Sequence, residues 1–225
     1  MKNLIYKTNP IIFHAQGKQQ YCPLWERTNY LCEKNNKNKK IPNNLQIITF
    51  NNGKSFNGKK AGCLERSIKN QCFVLGKNIL NWRNCLKIPL LVEFLEKNNT
   101  IEYIMGLDSS DVAVYSLEGI LEKFLTKKCE LLFNAEIICW PKSDFEEGWF
   151  IKPFCYLNAG AWIGKKDSVL NFYRECLSLI TPKTRSEQEC VKKIYKKWYP
   201  KILIDDTCSI FQTLNRIDEN ILEIP

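Results

Sequence analysis

From residue 45 onward the chain alternates short apolar runs with stretches of helical spacing, and this alternation constrains the fold more than any other feature. Residues 45–50, 72–75, 101–107, 130–134, 159–164 and 201–204 are short and apolar enough to be buried strands. Residues 59–70, 86–97, 117–125, 168–179 and 187–198 space their apolar side chains for helices. Strands and helices in alternation bury their apolar faces best as a mostly parallel sheet covered by helices, so an α/β fold is predicted. The glycine-punctuated residues 51–58 predict a loop after the first of these strands. Residues 35–44, rich in Lys and Asn, predict an exposed loop that separates an N-terminal segment, 1–34, from the main body, 45–225. A chain of 225 residues is expected to form one domain.

The formal charge of +9 concentrates anions near the surface and by itself favours nucleic acid, an anionic membrane or an anionic small molecule. No nucleic-acid-binding motif and no basic helix interleaved with aromatics accompany it, so nucleic acid is not an expected partner. No stretch approaches the roughly 20 apolar residues of a membrane span, so no membrane is expected either. Lys34, Lys37, Lys39 and Lys40 stand among asparagines and read as a solvated face. The eleven cysteines are odd in number and nowhere spaced Cys-x-x-Cys, and the N-terminal residues lack the apolar core of a signal peptide. Free thiols in a soluble protein of a reducing compartment are expected.

The segment Tyr103-Ile104-Met105-Gly106-Leu107-Asp108-Ser109-Ser110-Asp111 carries the most chemistry: an apolar strand ends in two carboxylates three residues apart. Ligands of α/β sheets sit outside the carboxyl ends of strands, and two oxygen ligands on one turn suit a divalent cation that steadies a diphosphate leaving group. The same spacing also suits a helix N-cap. Asp205 and Asp206 follow another apolar run and could bring a further carboxylate to the same edge of the sheet, although adjacent acids after a strand are common in turns. The single histidine lies in Phe13-His14-Ala15-Gln16-Gly17-Lys18, where a strand delivers an imidazole, a glycine and a lysine suited to phosphate. A lone histidine is also commonly structural. Glu136 precedes Trp140-Pro141, an aromatic surface of the kind on which sugar rings pack, although most Trp side chains are core. Asn158-Ala159-Gly160-Ala161 places small residues in a strand, which permits close approach of a ligand or marks a bulge.

In combination these segments resemble the glycosyltransferase domain of the procollagen lysyl hydroxylase family and, more distantly, glycogenin-like transferases. Asp108-Ser109-Ser110-Asp111 is similar to the family's Asp-x-x-Asp metal motif, and Leu132 to Pro141 to its run ending in Cys-Trp-Pro. Leu157-Asn158-Ala159-Gly160-Ala161-Trp162-Ile163-Gly164 resembles its Leu-Asn-Ser-Gly-Gly-Phe-Ile-Gly, and Ile204 to Asn215 its Leu-Asp-His segment continued by Ile-Phe-Gln-Asn-Leu-Asn. The likeness covers roughly residues 45–222.

The resemblance implies a GT-A-like, Rossmann-type fold, a manganese ion, and a UDP-sugar donor, UDP-glucose before UDP-galactose. It implies transfer to galactosyl-hydroxylysine or hydroxylysine of a collagen-like protein, and a possible homodimer. Asp108 and Asp111 would hold the metal. Thr49 would lie near the uridine, Lys87 and Ser110 would face the donor, and Glu136, Cys139, Trp140 and Asn158 would match positions needed for transfer. Three departures stand out. Asp206 replaces the histidine of the Leu-Asp-His motif and is expected as a further metal ligand. The family's aspartate run before a glutamine is reduced to Arg185-Ser186-Glu187-Gln188, which leaves Glu187 nearest the acceptor and opens the alternative of a non-collagen acceptor. The family's His-Gly-Asn-Gly-x-x-Lys segment is matched only at the opposite end, by His14, Gly17 and Lys18. A circular permutation would account for this order, making residues 1–34 the equivalent of the family's C-terminal pyrophosphate-binding segment, with His14 a metal or pyrophosphate ligand. A nucleotide-sugar-binding protein without turnover is the remaining alternative.

Overall fold

The computed structural model describes residues 1–17, 23–35, 39–53, 62–141 and 152–224. In chain order these form β1 (Lys2–Asn3), β2 (Ile12–His14), α1 (Pro23–Lys34), β3 (Leu45–Phe50), α2 (Cys63–Ser67), β4 (Phe73–Leu75), α3 (Lys87–Lys97), β5 (Tyr103–Asp108), β6 (Val112–Val114), α4 (Ile120–Thr126), β7 (Leu131–Glu136), β8 (Tyr156–Lys165), α5 (Lys166–Leu177), α6 (Glu187–Trp198), β9 (Ile202–Ile204), β10 (Phe211–Thr213) and β11 (Leu222–Glu223).

The main sheet has six strands in the order β4-β3-β5-β8-β7-β9. Strands β4, β3 and β5 run parallel, as do β7 and β9, while β8 is antiparallel to both of its neighbours. The fold is thus α/β, a mostly parallel sheet flanked by helices, with one reversed strand that periodicity could not foretell because apolar spacing carries no direction.

Period-two alternation sends neighbouring side chains to opposite faces: Ile48 joins one apolar cluster and Ile47 the other. The first cluster takes in Leu91 and Leu95 of α3, Phe172 and Tyr173 of α5, and Val191 of α6. The second takes in Leu64 of α2 and Phe124 of α4. A sheet covered on both faces reads as near-continuous apolar runs, and each fully buried Ile, Leu or Phe contributes about 1.5–3 kcal/mol. Close packing also explains Gly106: a Cβ there would come within 2.2 Å of the Trp162 ring.

The described residues of the N-terminal segment join the body through the pairings of β1 and β2. Strand β2 is the middle strand of a second sheet, β10-β2-β6, parallel to β10 and antiparallel to β6. Strand β1 pairs with β11, so segments from near the two ends of the chain lie side by side. The Lys/Asn-rich stretch is irregular where described, as expected of a loop, but its exposure fails at Lys39, which is buried with its ammonium donating to the carbonyls of Cys32 and Ser67. An ammonium satisfies carbonyls at the end of α1 and within α2, joining the N-terminal helix to the body. All ten described cysteines are free thiols. No helix among the described residues is long and apolar enough to cross a membrane.

Candidate active site

The chemistry gathers at one edge of the main sheet for reasons of strand direction. Asp108 ends β5 and Glu136 ends β7, both at carboxyl ends, whereas the reversed β8 brings Asn158 to the same edge near its beginning. Between β7 and β8 the register breaks: Phe133 faces Trp162, but the next residue, Asn134, faces Asn158. Residues 159–161 are the surplus on β8, a bulge, and Ala159 and Gly160 within it line the cleft. The two readings of the small-residue segment, bulge and close approach, are therefore one feature. A Cβ on Gly160 would meet His14 Cε1 at 2.3 Å and Asp108 Oδ2 at 2.9 Å.

Strand pairing carries His14 to the same place. It lies opposite Val112 across β2 and β6, one residue past Asp111, and the amide of Ala15 donates to the Asp111 carbonyl at 2.8 Å. On the other side the Leu214 amide donates to the His14 carbonyl at 2.8 Å. The potential ligand atoms of His14, Asp108 and Asp111 lie within 4.8 Å of one another. His14 Nε2 and Asp111 Oδ1 are 3.7 Å apart, too far for a hydrogen bond, and both are buried without a hydrogen-bond partner among the described residues. Buried polar atoms without partners are rare. Two of them converging with a second carboxylate, where Gly160 leaves space, fit a divalent cation held by two oxygens and one nitrogen. Burial pulls the His14 pKa down, but the charges of Asp111, Asp108 and Glu136 outweigh it and raise it.

Next to this trio, Lys87 at the start of α3 reaches Asp108 Oδ1 at 2.5 Å and Glu187 Oε2 at 3.0 Å. One buried ammonium shared by two carboxylates stays protonated and leaves the carboxylates competing. Burial, with the Asp108 charge adding to it and Lys87 opposing, pushes Glu187 up to about 8. Glu136 is also raised, chiefly by burial, although Gln16, Asn158 and Gln188 each hydrogen-bond it. Gln16 Nε2 donates to one oxygen and Gln188 Nε2 to the other, each at 3.0 Å. Gln188 also donates to the Trp140 carbonyl and accepts from the Ala159 amide at 2.9 Å. Ser186 caps α6 by accepting from the Gln188 amide, which sets both Glu187 and Gln188 at the helix start.

These residues line a cleft of about 640 Å³ together with Gly17, Asn84, Ile138, Asn215 and Arg216, and Trp140 is 56% exposed on it. Gly17 turns at φ 70°, a conformation glycine adopts without strain. Of the site residues expected from sequence, His14, Gly17, Lys87, Asp108, Asp111, Glu136, Trp140, Asn158 and Glu187 meet in this cleft.

Asp206 does not. Its carboxylate pairs with Lys152 at 2.6 Å, and the described metal-competent group contains His14 in its stead. Asp205, its neighbour, is fully buried and accepts from Lys127, Ser209 and the amides of Ile210 and Phe211, a turn-building role. Thr49 is fully buried with its hydroxyl donating to the Leu107 carbonyl at 2.7 Å, and neither it nor Ser110 lines the cleft. Lys18 lies outside the described residues. Gln16, Asn134 and Gln188 lie inside the segments read from sequence, but uncharged amides carry no charge or spacing signal that marks them as site residues.

Comparison with known proteins decides the family. The family model described as the PLOD GT domain matches residues 81–223. The chain belongs to this glycosyltransferase-domain family. The match leaves residues 1–80 outside it, so it begins later than the likeness read from the motifs. No curated protein matches the chain. Among solved structures it is similar to 4-diphosphocytidyl-2C-methyl-D-erythritol synthase from Anaerococcus prevotii DSM 20548, with 10% identity and a TM-score of 0.39 over 80% of this chain and 91% of that one. As a PLOD-type glycosyltransferase domain, the chain has its Asp-x-x-Asp, Cys-Trp-Pro and Leu-Asn-x-Gly segments inside the matched range, whereas His14 lies outside it.

Proposed function

We propose that this glycosyltransferase domain transfers a hexose, glucose from UDP-glucose in the first instance, to galactosyl-hydroxylysine or hydroxylysine of a collagen-like protein, with manganese bound by His14, Asp108 and Asp111. The observation that carries the reading is the convergence of those three side chains in a cleft that also holds Glu136, Glu187 and the exposed face of Trp140. A bound divalent cation supplies charge neutralisation for a departing diphosphate. Lys87 holds Asp108 in place and keeps positive charge at the donor end of the cleft. Trp140 offers its ring to a sugar, with its carbonyl tied to Gln188. Glu136 and Glu187 are the carboxyl groups placed to take a proton from an acceptor hydroxyl; burial raises both, and Glu187, raised to about 8, does so near neutral pH only in its minor ionised form.

Two pairings support reading the N-terminal segment as the permuted equivalent of the family's pyrophosphate-binding segment. Strand β2 lies parallel beside β10, and β1 beside β11, so a segment continuing from the C-terminal end could occupy the place of β2 without rearranging the sheet.

The deciding experiment is UDP release with manganese from a panel of UDP-sugars, with and without a galactosyl-hydroxylysine peptide. Release from UDP-glucose stimulated by that peptide is expected. Unstimulated hydrolysis would discard the collagen-type acceptor in favour of another, as the shortened acidic run at Glu187 would allow, and no release with any donor would leave a binding protein.

A further inference from the structure

Asn134, opposite Asn158 in the pairing of β7 with β8, is fully buried against the imidazole of His14. Its Nδ2 lies 3.3 Å from His14 Nδ1, while its Oδ1 is buried without a hydrogen-bond partner among the described residues. It is also the first residue after the register break in β7, where a bulge re-aims side chains. We propose that Asn134 is a positioning residue that selects which nitrogen of His14 carries the proton, its carboxamide turning over by half a rotation when a divalent cation binds. This inference rests on the metal-site reading above.

A carboxamide has a donating end and an accepting end, and a neutral imidazole has one nitrogen of each kind. With Nδ2 towards the ring, Nδ1 must be the acceptor, so the ring proton sits on Nε2, pointing towards Asp111. That tautomer has no lone pair at Nε2 for a cation. With Oδ1 towards the ring, Nδ1–H donates to it and the Nε2 lone pair faces Asp108 and Asp111. Histidines that ligate metals characteristically donate their other ring N–H to an oxygen. The half-turn pairs Oδ1 and moves Nδ2 into the place Oδ1 leaves, so the cation's bond to Nε2, and not a gain in carboxamide pairing, drives it. The ring neither gains nor loses a proton overall: Nε2 releases one to solvent and Nδ1 takes one up.

The chain contains one histidine, so histidine labelled with ¹⁵N yields a single pair of ring nitrogens in an NMR spectrum. At a pH that keeps the ring neutral, metal-free protein is expected to show its proton on Nε2. Saturation with ¹¹³Cd²⁺, a diamagnetic probe, is expected to move the proton to Nδ1 and to produce cadmium coupling at Nε2. Asn134→Leu, which neither donates nor accepts, should weaken Cd²⁺ binding roughly 10–100-fold, the range for outer partners of metal ligands. Asn134→Asp, which only accepts, should show the Nδ1–H form before cadmium is added and bind at least as tightly as the parent. If Asn134→Leu does not fold, the aspartate variant still decides. Undiminished Cd²⁺ affinity in the leucine variant, or an Nε2–H ring in the metal-free aspartate variant, overturns the proposal. Cadmium binding without coupling to His14, or no binding, removes the metal assignment itself and the proposal with it.

Discussion

His14 Nε2 lies 3.7 Å from Asp111 Oδ1, although one residue ends the N-terminal strand and the other sits in the turn that follows β5. The pairing of β2 with β6 enforces the approach, and it makes the N-terminal segment part of the site. On the proposed assignment of His14 as a ligand, His14→Ala should weaken manganese binding by more than the roughly tenfold lower bound typical of an outer-shell loss. Calorimetric titration of Mn²⁺ into the parent and the variant measures this, and equal affinities would place the ion elsewhere.

The carboxylate assignments separate cleanly. Asp111→Ala should abolish manganese-dependent turnover with the fold retained, as read by circular dichroism and UDP release. Asp206→Ala should leave Mn²⁺ affinity as it was and cost less than about 1 kcal/mol, because it breaks only a partly exposed ion pair with Lys152.

Gly160 has no room for a side chain. Gly160→Ala would drive a methyl group into His14 and Asp108, with an overpacking cost of about 1–3 kcal/mol. Thermal melts with and without Mn²⁺ should show a lowered Tm that manganese no longer raises. A variant with full manganese stabilisation would mean that His14 and Asp108 do not converge on one ion.

The pH dependence of the metal-free protein follows from Glu187. Its folded pKa of about 8 lies above the ordinary 4.5, so the folded state holds a proton that the unfolded chain has released. The associated stability is present below the unfolded value and is lost as pH rises towards about 8. The raised His14 pKa acts in the same sense above its ordinary 6.5. Urea denaturation across this window should show falling stability, with a shallower slope in Glu187→Gln. An unchanged slope in that variant would show that Glu187 is not the group responsible.

Much of this was legible in the chain itself. Residues 45–50 and 187–198 were expected as strand and helix at the bounds they take, because buried runs and amphipathic spacing are local properties. Asp108 and Asp111 were expected at the carboxyl edge of the sheet because α/β sheets bind ligands there, whereas Glu136 and Asn158 were expected only from the family resemblance. Direction, register and long-range pairing lie outside local spacing. The reversal of β8, the bulge at residues 159–161 and the seating of β2 between β10 and β6 were decided by the tertiary structure. The adjacent acids after β9 show the consequence: by position alone Asp206 was as good a candidate ligand as His14, but its carboxylate meets Lys152, while His14 stands within ligand distance of Asp108 and Asp111. Residue types and order determined which groups were available for chemistry. Which of them share one small volume was set by strand pairing between distant segments, where burial makes each unpartnered polar atom costly and so selects the partners that remain.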